Sequence, residues 1–80
     1  MKKEQGYTLE EIEELKQWFE VHMEEIPESM QIEAGVFTPD LQNTINMLLE
    51  QAYICYNNPK MKGCILLLKK IQQNILKINN

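Results

Sequence analysis

Two cysteines and a single histidine are the side chains in this sequence best equipped for chemistry, and their spacing limits what that chemistry could be. Cys55 and Cys64 stand symmetrically about Pro59-Lys60, so a tight turn there would face one thiol toward the other. Three uses are open to them: small core residues, a redox pair, or a metal pair completed by His22. Zinc sites usually show clustered CxxC or HxxxH spacing, and neither pattern occurs here. A disulfide needs Cα atoms roughly 4.4–6.8 Å apart, whereas packed helix axes lie about 8–10 Å apart. Buried cysteine is also a common small core residue. Core packing is therefore the leading expectation, and a thiol redox or metal protein using Cys55 and Cys64 is the alternative. His22 reads as a boundary residue on an acidic helix.

Other reactive constellations are missing from the sequence. Ser29 is the only serine and has no nucleophile-elbow glycines around it. The three glycines are scattered, so no phosphate-cradling loop is written into the chain. The glutamates fall on one face of a helix, as a solvated surface does. The expectation is a protein that is not an enzyme, with no cofactor, no metal and no catalytic residue.

Helices are what must position these side chains. Leu9, Ile12, Leu15, Phe19, His22 or Met23, and Ile26 recur at steps of three and four. Leu41, Ile45, Leu48, Ala52 and Cys55 do the same, as do Met61, Cys64, Leu68, Ile71, Ile75 and Ile78. At about 3.6 residues per turn, each set lies on one side of a helix. Thr8 and Glu11 form a capping box at the first start, with Tyr7 and Ile12 as a hydrophobic staple. Pro27 stops that helix. Thr38-Pro39-Asp40 opens the second helix, and Asn58-Pro59 ends it and opens the third. So short a turn predicts an antiparallel C-terminal hairpin. The reading is an all-α, three-helix bundle in one domain spanning residues 1–80, with helices at about 8–25, 39–57 and 59–78.

The connection between the first two helices, residues 27–38, is long for neighbouring helices, which are usually joined by about 2–8 residues. Met30, Ile32, Ala34 and Val36 alternate with Gln31, Glu33 and Gly35, a strand-like period. With no evident partner for a lone strand, the segment reads as an extended crossover whose apolar side lies on the bundle. A short β-bridge or strand pairing across a dimer is the lesser reading.

Charge is segregated along the chain. Residues 1–28 carry nine Glu against three Lys, while residues 59–80 carry five Lys and no acid. Attraction between an acidic first helix and a basic third follows, selecting which helices lie together. The net charge is −4 and there is no arginine. Lacking the bidentate guanidinium, a sequence-reading nucleic-acid binder is not expected, although the lysine face could meet an acidic polymer. No uninterrupted apolar run exceeds the five residues Cys64 to Leu68, far short of the about 20 that span a bilayer. With no secretory leader evident at Met1-Lys2-Lys3, a cytoplasmic location and reduced thiols are expected.

Apolar residues left over from the stripes point to a binding surface. Met47 and Ile54 are seven apart and oppose the Leu41–Cys55 stripe, and Leu66 lies among Lys62, Lys70 and Gln73. Either the 27–38 crossover covers Met47 and Ile54, or they form a self-association or partner surface, with Tyr53, Tyr56 or Trp18 as aromatic anchors. The function expected is protein–protein interaction, with a second copy of the chain or another protein as partner and no membrane.

The residues Tyr7-Thr8 to Trp18-Phe19, Ile26 to Ile32, Pro39-Asp40-Leu41, Asn58-Pro59 and Gly63 together resemble a family of short bacterial proteins carrying a domain of unknown function. The likeness covers nearly the whole chain. It implies a small helical bacterial cytoplasmic protein and carries over no functional residue. The last helix in that family commonly carries arginine, which this chain lacks.

Overall fold

The computed structural model describes residues 7–33, 35–60 and 63–78. Three helices dominate it: α1 at Leu9–Val21, α2 at Leu41–Cys55 and α3 at Gly63–Ile78. Between α1 and α2 the chain forms a short 3-10 turn, Met23–Glu25, and two strands, β1 at Met30–Glu33 and β2 at Val36–Thr38. The protein is mainly helical, but it is not all-α.

The expected extended crossover is therefore corrected to a β-hairpin. β1 and β2 pair antiparallel, with Met30 opposite Thr38, Gln31 opposite Phe37 and Glu33 opposite Val36. The strand-like alternation found its partner inside the same connection. Gly35 makes the reversal possible, since its φ of +82° lies in the left-handed region that costs a residue with a Cβ. Two hydrogen bonds fix the hairpin to the helices. Leu41 N–H donates to the Glu28 carbonyl at 2.9 Å, closing its base. The Asn74 side-chain amide donates to the Ile32 carbonyl at 3.1 Å, where the ladder is irregular between Gln31 and Glu33.

Helix boundaries also shift. The capping box forms as expected: Thr8 Oγ1 accepts from Glu11 N–H at 3.2 Å, and the Glu11 carboxylate accepts from Thr8 N–H at 2.8 Å. α1 ends before Pro27 can act, where His22 Nδ1 donates to the Trp18 carbonyl at 2.8 Å. α2 is capped by Asp40 rather than Thr38, because Thr38 is committed to β2 and Asp40 Oδ1 accepts from Asn43 N–H at 3.3 Å. α3 is described from Gly63, and the expected start at Pro59 is corrected: Pro59 and Lys60 form a turn whose Lys60 N–H is held by Asn58 Oδ1 at 3.0 Å.

The core gathers Ile12, Leu15 and Phe19 of α1, Leu41, Ile45, Leu49 and Ala52 of α2, and Ile65, Leu68, Ile71 and Ile75 of α3. Met30 and Ile32 of β1 complete it, so the hairpin's apolar side does lie against the helices. Leu49 replaces Leu48 and Ile65 replaces Cys64 among the buried residues, and Ile78 and Met23 are exposed. A strict heptad seam serves one neighbour, whereas these helices also meet a hairpin or a third helix and bury a wider arc. Met61, placed on the third stripe, lies outside the described residues. Tyr7 N–H donates to the Tyr56 carbonyl at 2.6 Å, tying the entry of α1 to the end of α2.

Candidate functional site

The hairpin turns Met30 and Ile32 into the core and leaves the outer face of α2 bare. Ile54 is 76% exposed and Met47 58%. Two turns apart on one helical face, they share it with Asn43 and Glu50. The Asn43 amide lies 3.7 Å from Met47 Sδ, which restrains the thioether in its exposed position. Coverage of this face by the crossover, the first of the two expectations, is thereby corrected.

The remaining candidates are not gathered onto that face. Tyr53 is half-buried, packed on the core, and its ring lies 5.9 Å from Lys16 Nζ. Trp18 is half-buried as well, edge-on to Phe19 at 5.2 Å and stacked on His22 at 4.0 Å. Those contacts lie within α1 and its C-terminal cap, and Trp18 packs from there against the core. Leu66, 49% exposed, borders a shallow depression with Gly63, Leu67 and Lys70 at the start of α3. Tyr53 and Trp18 line separate grooves, the first with Glu13 and Gln17, the second with Glu14 and Lys69.

Phe37 was missed. It sits on β2, 62% exposed, opposite the exposed Gln31 on the outer side of the hairpin. The signal was present in the sequence: once Thr38 faces inward, strand alternation sends Phe37 out. Val21, also exposed, lies at the end of α1 with no comparable signal.

The thiols do come together. Cys55 Sγ and Cys64 Sγ are 3.8 Å apart, and the Cys55 S–H donates to the Gln51 carbonyl at 3.0 Å. Cys55 is buried and Cys64 half-buried. Desolvation pushes the Cys64 thiol above its ordinary pKa, and the hydrogen bond and charge of Cys55 push it the same way. His22, engaged by Trp18, is not drawn into this pair by any described contact. Among the described residues no group of three His, Cys, Asp or Glu side chains is arranged to hold a metal ion.

A family model for a domain of unknown function, DUF6965, matches residues 10–77. The chain belongs to that family. The matched span runs from the first turn of α1 through the hairpin and α2 to nearly the end of α3, and it includes Trp18-Phe19, the Pro27 segment and Asn58-Pro59. No curated protein and no solved structure matches the chain. Among the described residues no helix is long and apolar enough to cross a membrane.

Proposed function

We propose that this member of the DUF6965 family is a small, non-enzymatic, cytoplasmic bacterial protein that acts through protein–protein contact, its recognition surface the outer face of α2. The observation that carries this reading is the exposure of Met47 and Ile54 on one face that the protein's own hairpin leaves open. Leaving two large apolar side chains in water forgoes roughly 1.5–3 kcal/mol for each that a partner would bury.

Self-association through this face is the form most directly tested. In sedimentation velocity the wild type is expected to form a dimer, and Ile54→Glu is expected to sediment as a monomer with an unchanged helical circular dichroism spectrum. Equal masses for the two proteins would remove this interface.

The rival reading, an acidic polymer bound by the lysines of α3, has less support. Lys69 is turned inward over the Tyr7 ring at 4.8 Å and shares a groove with Glu11 and Glu14. A lysine so placed is less available to phosphates.

A further inference from the structure

We propose that Cys55 and Cys64 form a modification site: a dithiol that small-molecule disulfides convert reversibly into an intramolecular disulfide pinning the start of α3 to the end of α2. The proposal is independent of the α2 surface. Helices packed along their length hold their axes too far apart for a disulfide, but these two residues sit where the chain turns back between the helices. There the two sulfurs are already in van der Waals contact at 3.8 Å, and the bond requires them to close to about 2 Å. The residue before Cys64 is Gly63, and a Cβ built on it would meet nothing within 4 Å. Among the described residues no packed neighbour at that point holds the chain beside Cys64 in place.

Asymmetric burial assigns the order of events. Cys64, half-buried, is the thiol that a solute reaches, and Cys55, buried behind it, resolves. Cys64 gives its proton to solvent, and its thiolate attacks one sulfur of glutathione disulfide. A Cys64–glutathione bond forms, the glutathione S–S bond breaks, and one glutathione thiolate leaves. Cys55 then loses its proton, gives up its hydrogen bond to Gln51, and attacks Cys64 Sγ, expelling the second glutathione thiolate. The cysteine pair is oxidised by two electrons, glutathione disulfide is reduced by two, and the two protons end on the two glutathione thiols. Burial and the neighbouring thiol favour protonated Cys64, so the first step accelerates as pH rises.

The test equilibrates the full-length protein in buffers of reduced and oxidised glutathione, quenches with acid, and reads intact mass after alkylation. As the oxidised form increases, the chain is expected to lose both alkylation sites and two hydrogens. It should stay free of glutathione, carry no bond between chains, and recover both thiols in dithiothreitol. In Cys55→Ala the resolving thiol is gone, and Cys64 should retain glutathione. Two alkylatable thiols throughout the titration would overturn the proposal, as would a glutathione adduct that persists in the wild type or a disulfide between chains. The wild-type measurement decides the matter even where Cys55→Ala fails to fold.

Discussion

Cys64 shows how one side chain's surroundings convert into a measurable property. Its thiol is protonated more firmly in the folded chain than in an unfolded one, because partial burial and Cys55 disfavour the thiolate. A pKa raised by folding means that this contribution to stability is complete below the unfolded thiol's pKa and is lost as pH climbs through the folded one. Urea unfolding under reducing conditions is therefore expected to show stability falling on the alkaline side of the ordinary thiol range. Cys64→Ser should flatten that fall, and parallel curves for the two proteins would contradict it. The wild-type-minus-variant difference is the readout, because it cancels every pH-dependent contribution that the two proteins share. At this scale the sequence was readable wherever partners are close along the chain. The Thr8–Glu11 box and the facing thiols were legible. Asp40 in place of Thr38 as the cap of α2 was not, since that choice follows from Thr38 being taken by a strand.

Among the elements, the hairpin is the one that the sequence pattern concealed. Its alternation was visible, but pairing depends on a positive φ at Gly35 and on an amide at Asn74, 42 residues from the Ile32 carbonyl that it reaches. Helices reveal themselves through local periodicity, whereas a short sheet is decided by its partner and its anchors. The two described glycines separate these effects. Gly35→Ala meets no atom within 4 Å, so its cost is conformational alone and is expected to be about 1–2 kcal/mol. Gly63→Ala, also unobstructed but with no positive φ, sits at the first position of α3 and should be neutral or stabilising by up to about 1 kcal/mol. Chemical denaturation of the pair checks the contrast, and equal effects would mean that the turn at Gly35 does not govern the hairpin. The same hidden hairpin explains why the fate of Met47 and Ile54 could not be read from the sequence. Once the connection folds onto itself, with Met30 and Ile32 against the core, too little chain is left to reach across the outside of α2.

Taken whole, the molecule carries an uneven distribution of charge that was plain in the sequence. Acidic α1 and basic α3 border a common groove lined by Glu11, Glu14 and Lys69, and the Lys69 ammonium rests over Tyr7. An 80-residue chain buries only about 60–65% of the surface it exposes when unfolded, so contributions of about 1 kcal/mol are a real fraction of its margin. Whether attraction or packing by the lysine stem matters more can be decided by two substitutions at one position. Lys69→Met keeps an apolar stem and removes the charge, so it forfeits the cation–π contact and the attraction to the acids, together about 1 kcal/mol. Lys69→Glu loses the same contacts and adds repulsion from Glu11 and Glu14, for a further loss of about 0.5–1 kcal/mol in dilute buffer. Because exposed charges are screened over about 10 Å at 0.1 M salt and about 3 Å at 1 M, the gap between the two variants should narrow as salt is added. A gap that holds constant from dilute buffer to molar salt would mean that α1 and α3 are placed by shape alone, with the segregation of acids and lysines left over for something outside the fold.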